Sequence, residues 1–76
     1  MSHLLFSIDI THNRKRFYRV AVEPTLLGEV CLTRSWGRIG GTEKRLAPRV
    51  FEDWESAIKA AGKIVARKAR RGYVER

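Results

Sequence analysis

The sequence predicts an α+β fold, in which one C-terminal α-helix packs on an antiparallel β-sheet of four to five strands. Two patterns predict it. Apolar residues fall at every second position in several runs before residue 52, as in strands with one buried face, whereas from residue 54 they recur at helical spacing. A chain of 76 residues has room for one hydrophobic core, so we expect a single domain over 1–76.

The first two predicted strands cover residues 3–10 and 16–22. Every second residue is apolar from Leu4 in the first strand and from Tyr18 in the second strand. The residues between them resemble a turn, because Asn13 tolerates left-handed backbone geometry. These two runs are therefore expected to pair as neighbouring strands.

The third predicted strand covers residues 29–36 and ends at Trp36, where a glycine-rich turn is expected to follow. Residues 42–51 alternate less regularly. Since Pro48 has no N–H to donate to a neighbouring strand, this run is expected to be an edge strand or to bend there.

The helix is predicted over residues 54–71. Asp53 stands at the N-cap position, where a carboxylate accepts hydrogen bonds from free N–H groups of the first turn. Gly72 stands just past the last periodic residue, where C-terminal glycines are common. Tyr73 and Val74 are expected to add a short terminal strand or coil.

The charge balance points to a polyanion as partner. The chain has 16 Lys and Arg against 8 Asp and Glu, a net charge of +8 and a pI near 10.6. Most of these cations are Arg, which can grip a phosphate with two parallel hydrogen bonds. The alternatives are an inert basic surface and a ribosome-associated protein.

Other classes are disfavoured by what the sequence lacks. Cys31 is the only cysteine, so neither an intramolecular disulfide nor a cysteine zinc site is expected. His3 and His12 have no partners at catalytic or metal-ligand spacing, so we expect no enzyme activity, cofactor or metal. No apolar run reaches the ~20 residues of a membrane helix and no signal peptide is evident. A cytoplasmic protein, free or associated with the nucleoid, is expected.

The first candidate binding site is Trp36-Gly37-Arg38, expected where the third strand ends and its turn begins. The indole of Trp36 offers a flat face for packing. The guanidinium of Arg38 offers a planar fork for phosphate. Glycines allow the backbone to approach a ligand closely. Together these residue types favour nucleic acid as the ligand.

Further cations extend this candidate site. An arm of Asn13, Arg14 and Lys15 leads into the aromatic pair 17–18, which either stacks on bases or, as we favour, braces the core. Arg14 and Lys15 are expected to contact the nucleic-acid backbone, as are Arg34 and Arg45.

The predicted helix carries a second basic feature. Lys59, Lys63 and Arg67 recur every four residues and therefore share one helix face. Like charges at this spacing repel one another by a few tenths of a kcal/mol. Two interpretations stay open: this face makes auxiliary phosphate contacts, or it is simply solvated.

The sequence resembles the WGR domain along residues 4–74. The resemblance rests on Asn13 before the aromatic pair, the strand ending in Trp36-Gly37-Arg38-Ile39-Gly40, Phe51 before the helix, and Lys68 with Gly72-Tyr73 at its end. WGR domains are known as modules of the DNA-dependent poly(ADP-ribose) polymerases and as short free-standing bacterial proteins. The resemblance implies a twisted antiparallel sheet with one helix against it.

The resemblance also implies DNA binding near a strand break or 5′ end. It assigns Trp36 to packing on the terminal sugar-phosphate, Arg38 to backbone contact and Asn13 to a polar contact in the arm. We expect no attached catalytic domain, so the resemblance implies no ADP-ribosylation. The sequence therefore predicts a non-catalytic DNA-binding module that does not read base sequence. RNA binding and docking of a protein partner through the Trp36 surface remain the alternatives.

Overall fold

The computed structural model describes all residues 1–76 and confirms the α+β class. One sheet of six strands is accompanied by a single long helix. The strands are β1 (Ser2–Asp9), β2 (Arg14–Pro24), β3 (Val30–Arg38), β4 (Glu43–Arg45), β5 (Arg49–Phe51) and β6 (Val74–Glu75), and the helix is α1 (Trp54–Arg70). No helix is both long and apolar enough to cross a membrane.

The sheet is antiparallel throughout, in the order β4-β3-β2-β1-β6. The outer edge of β3 is paired by two short strands in succession, β4 near its end and β5 near its start. The residues between them, 46–48, form no strand and include Pro48, which has no N–H to donate. The predicted interruption at Pro48 is therefore confirmed, and the single predicted run is two strands.

The boundary between β1 and β2 differs from the prediction. Ile10 was expected in the first strand, but it begins a short 3-10 helix, Ile10–His12. The side chain of Asp9 accepts hydrogen bonds from the backbone N–H and the ring of His12, which turns the chain out of the strand. Asn13 then takes the left-handed conformation (φ 53°) that its residue type favours.

The end of β3 also differs, and this matters for the candidate site. The strand was expected to end at Trp36, with Gly37 and Arg38 in the turn that follows, yet all three lie within β3. They pair with β2 on one side, and β4 also pairs with Trp36 and Gly37 on the other. The turn begins only after Arg38, with Gly40 at a positive φ of 82°. Hydrogen bonding on both sides explains why the strand continues through the glycine.

The core lies between α1 and one face of the sheet. Its largest fully buried side chains are Leu5, Val20 and Val22. Ala57 and Ala61 are the buried residues of α1, and their small size allows the helix backbone to come close to the strands. The other sheet face has no helix on it, and we call it the far face. Ile8 of β1 lies there, about half exposed.

The predicted start of the helix is confirmed, and the helix ends at Arg70, one residue before the predicted end. Asp53 Oδ1 accepts a 2.7 Å hydrogen bond from the Ser56 N–H, as an N-cap residue does. Gly72 has a φ of +94° just beyond the helix, and Val74 then joins the sheet as the edge strand β6. The end of α1 is thereby held over the sheet.

We expect Leu5→Ala to lower the free energy of unfolding by about 2–5 kcal/mol, because it leaves a cavity under α1. Leu26→Ala removes the same atoms from a fully exposed loop position and should change stability by less than about 0.5 kcal/mol. Urea unfolding followed by circular dichroism measures both. Equal losses in the two variants would contradict the assigned core.

Asp53→Ala should lower the melting temperature in a pH-dependent manner. Hydrogen bonds from Ser56 hold the pKa of the Asp53 carboxyl below its ordinary value of 3.8. A lowered pKa in the folded state means that the stabilisation is complete above this ordinary value and is lost as the pH falls through the folded-state pKa. The difference in melting temperature between wild type and variant should be greatest at neutral pH and should shrink below pH 3.8, as thermal melts would show. A gap independent of pH would contradict this cap.

Candidate nucleic-acid interface

An open cleft of about 730 Å³ lies where the C-terminal end of α1 meets the helix-side face of β2 and β3. Trp36 and Arg38 line it, and we call it the Trp36 cleft. Six cations line the same cleft: Arg14, Arg16, Arg38, Lys44, Lys68 and Arg71. No Asp or Glu lines it, although Asp9 of β1 pairs directly with Arg14.

Trp36 is a half-buried platform in this cleft. It lies directly opposite Tyr18 on β2, and the two rings are nearly parallel at 12° with centroids 5.9 Å apart. Tyr73 meets Tyr18 edge-on at 6.3 Å. Aromatic pairs in these arrangements attract one another beyond the area that they bury. The orientation of the indole is therefore set before any ligand binds.

Arg38 is held in place by Asn13. Its Nη1 donates to the Asn13 carbonyl oxygen and its Nη2 to the Asn13 Oδ1, both at 3.1 Å. These acceptors are neutral, so they orient the guanidinium without cancelling its charge. A guanidinium has five N–H donors, and two are used here. The arrangement presents an oriented cation to the cleft.

Gly37 is required by a close approach of two backbone segments. A Cβ at this position would lie 2.5 Å from the carbonyl oxygen of Thr42, which stands just before β4. Any side chain would push β4 away from β3. Since Lys44 on β4 pairs directly with Trp36, the glycine keeps both residues of the cleft in place.

Lys68 is the most constrained cation of the cleft. Its Nζ lies 4.4 Å from the ring centroid of Tyr18 and 5.7 Å from that of Tyr73, within range of cation–π attraction. Partial burial lowers the pKa of Lys68, and the charges of Arg71, Arg34 and Arg67 lower it further. The positive charge of Lys68 is thus disfavoured in the free protein, and a bound anion would offset that repulsion.

A second basic cavity, of about 480 Å³, runs between α1 and the helix-side face of β3 and β5. We call it the helix groove. Five cations line it: Arg34, Arg49, Lys59, Lys63 and Arg67. Again no Asp or Glu takes part. For the basic stripe on α1, the sequence left two interpretations open: contact with phosphates or simple solvation. In the structure this stripe borders a groove and faces further cations.

The candidate residues from the sequence lie in three places: the Trp36 cleft, the helix groove and the far face of the sheet. Trp36, Gly37, Arg38 and Arg14 meet in the Trp36 cleft, with Asn13 behind Arg38. Arg34, Lys59 and Lys63 meet in the helix groove instead.

Lys15 and Arg45 lie apart from both cavities. Lys15 pairs with Ile8, and Arg45 pairs with Ser35, which places both on the far face. Arg45 Nε also donates to Glu43 at 3.1 Å. The tertiary structure therefore does not bring these two residues to the other candidates.

Sequence reasoning missed four cations of the Trp36 cleft. Arg16 could have been found, because it shares a strand face with Arg14 by the two-residue period. Lys44 shares the face of its cross-strand partner Trp36, which only the pairing reveals. Arg71 continues the basic stripe of the predicted helix, and Lys68 is part of the family resemblance, but the helix pattern alone does not tell which residues overhang the sheet.

The acidic residues are used elsewhere. Glu43 pairs with Arg19 and Arg45 on the far face. Glu75 pairs with His3 at the sheet edge, and Asp53 caps α1. No cluster of His, Cys, Asp or Glu is arranged to hold a metal ion. Positive charge is thus concentrated in the two cavities.

These features define a class: a small antiparallel sheet with one helix, and a Trp-Gly-Arg strand that borders a cationic cleft. The chain belongs to the WGR domain family, whose model matches residues 1–76. WGR domains are non-catalytic, nucleic-acid-binding modules. The resemblance found in the sequence is therefore confirmed.

A curated relative is similar over most of the chain. The uncharacterized protein y4dW of Sinorhizobium fredii is 36% identical over 66 residues, which is 87% of this chain and 32% of the relative. The chain thus spans about a third of the length of this relative. No solved structure matches the chain significantly.

Alanine substitution should change the free energy of unfolding in opposite directions at Gly37 and at a glycine with open space around its Cβ position. We expect Gly37→Ala to lower the free energy of unfolding by about 1–3 kcal/mol, because its Cβ would meet the Thr42 carbonyl. Gly62→Ala is the control, since a Cβ in the middle of α1 meets nothing within 4 Å. It should stabilise the helix by about 0.5–1 kcal/mol. Urea unfolding that gives both changes the same sign would contradict the close approach of β3 and β4.

Proposed function

We propose that this protein binds DNA through the Trp36 cleft, without reading base sequence, and that it prefers duplex ends or strand breaks. In this proposal Arg38 and the neighbouring cations contact backbone phosphates. Trp36 packs on the sugar or the exposed base pair at the terminus. The protein binds without catalysing a reaction.

The observation that carries the proposal is the separation of charges. The Trp36 cleft contains six of the 16 Lys and Arg residues and none of the 8 Asp and Glu residues. Like charges held close together repel one another in the free protein, and after partial burial they are the second cause that lowers the pKa of Lys68. A polyphosphate backbone would relieve that repulsion and release its own counterions.

The preference for ends follows from the indole of Trp36. A base pair inside a duplex is stacked on both sides and leaves no face for an aromatic ring. A terminal pair or its sugar has one open side, on which a half-buried indole can pack. Base readout is not expected, because α1 lines the cavities with cations and with Ser56, Ala60 and Ile64, and it presents no Asn or Gln beside its basic residues.

RNA remains the alternative within the same mode of binding, since phosphate contacts do not distinguish the two polymers. The proposed role requires a compartment that holds DNA, and we propose the cytoplasm, with association to the nucleoid. Affinity should be modest, with Kd on the order of 10⁻⁴–10⁻⁶ M at physiological salt, and tighter where a terminus is recognised.

Fluorescence anisotropy on one duplex in three forms tests the proposal: blunt with a 5′ phosphate, blunt without it, and closed by hairpins at both ends. We expect tighter binding to the open, phosphorylated ends, with a slope of log K against log salt near −3.6 if about four phosphates are neutralised. Equal binding to all three would overturn the preference for ends. An RNA duplex in parallel decides between the polymers. Absence of binding at low salt would favour docking of a protein partner.

Substitutions of Arg38, and of Asn13 that orients it, should lower the affinity for the phosphorylated duplex to different extents. Arg38→Gln should weaken binding about tenfold or more, because hydrogen bonds to charged groups are worth about 1.5–3 kcal/mol. Asn13→Gly keeps the left-handed backbone but removes the Oδ1 that orients Arg38, so its loss should be smaller. Arg19→Gln, on the far face, removes the same charge as a control. Equal losses in Arg38→Gln and Arg19→Gln would show a general charge effect instead.

A further inference from the structure

The helix groove has cationic walls on both sides. Lys59, Lys63 and Arg67 stand on α1, and Arg34 and Arg49 stand on the sheet. None of the five takes part in an ion pair, whereas Arg19 and Arg45 on the far face pair with Glu43. Two opposed rows of cations suit one chain of phosphates lying between them.

The lining of the groove is apolar between these rows. It includes Leu32, Leu46, Ala60 and Ile64, of which Leu46 is 43% exposed. A ligand that carries only charge would leave this apolar surface in water. A nucleotide strand carries sugars and bases as well as phosphates, so it can cover the apolar lining while its backbone meets the cations.

The helix groove adjoins the Trp36 cleft. The charge of Lys68 in the cleft is disfavoured both by Arg71 of the same cleft and by Arg34 and Arg67 of the groove. On β3, Arg34 and Trp36 are two residues apart and face the same side. Cations therefore continue from one cavity into the other without an intervening acid.

The shape of the groove favours an unpaired strand over a duplex. Its walls are one helix and one sheet edge, and its volume is about 480 Å³. A double helix is rigid, and its two backbones are held apart across grooves about 6 and 12 Å wide. It would meet the outer surfaces of both walls, whereas a flexible single strand can enter between them.

We propose that the helix groove binds the unpaired strand that overhangs a duplex end held in the Trp36 cleft. This inference rests on the proposed function and adds a preferred substrate to it: an end with a single-stranded overhang. Lys59 and Lys63 contact phosphates of the overhang and not of the duplex.

The test compares a blunt duplex with the same duplex carrying an overhang of about six nucleotides, toward the lower end of known single-strand site sizes. Overhangs of 5′ and 3′ polarity are measured separately by anisotropy over a range of salt. The variant is Lys59→Gln/Lys63→Gln. The control is Arg70→Gln/Arg76→Gln, which removes the same charge from exposed residues outside both cavities.

Wild type should bind one or both overhanging duplexes more tightly and with a steeper salt slope than the blunt duplex. Lys59→Gln/Lys63→Gln should lose this preference, lower the overhang slope by about 1.4, and keep the blunt-duplex affinity of the control. Thermal melts establish that each variant is folded. Because these lysines are exposed and repel each other along α1, their replacement should not unfold the protein.

Equal binding of blunt and overhanging duplexes by wild type would overturn this inference and leave the proposed function standing. An equal loss for both duplexes in Lys59→Gln/Lys63→Gln would also overturn it, because the groove would then contact the duplex backbone. Absence of binding to every duplex at low salt would overturn the proposed function together with the inference.

Discussion

The register of β3 against β2 is the constraint on which the rest of the structure depends. It places Trp36 opposite Tyr18 and Arg38 opposite Arg16, all on the face that α1 partly covers. A slip of one residue would turn these side chains to the far face, because strand side chains alternate. The same register leaves Gly37 facing away from the helix, where only a hydrogen atom allows Thr42 to come close. The core, the orientation of Trp36 and the position of Arg38 are therefore all set by the pairing of β3 with β2.

The helix converts this strand face into two cavities. Ala57 and Ala61 bring its backbone close to the sheet, and the last turn places Lys68 over Tyr18. The apolar side of α1 builds the core, while its basic stripe forms one wall of the helix groove. Packing and charge placement thus come from the same element, and a change in helix position would alter the core and both cavities together.

The distribution of charge opposes stability in the free protein. Asp53 caps the helix, and other acidic residues form ion pairs at the sheet edge and on the far face, where Glu43 lies. Cations face one another across the cavities, and the pKa of Lys68 is lowered first by its partial burial and then by the neighbouring arginine charges. In a small domain, whose core supplies only about 3–5 kcal/mol, such an arrangement is expected where a polyanion is the ligand. Binding and folding would then be coupled through charge.

The sequence by itself determined the fold class, the helix with its Asp53 cap, and the shared strand face of Arg34 and Trp36, because these follow from periodicity and local hydrogen bonding. Only the tertiary structure decided that Trp36-Gly37-Arg38 stays in a strand, since β4 pairs with it as far as Gly37 and β2 as far as Arg38. It also placed Lys15 and Arg45 on the far face and divided the remaining candidate cations between two cavities. Alternation along a strand does not say which face a helix will cover, and a helical stripe does not say which strand it will oppose. Those choices depend on contacts between residues far apart in the chain.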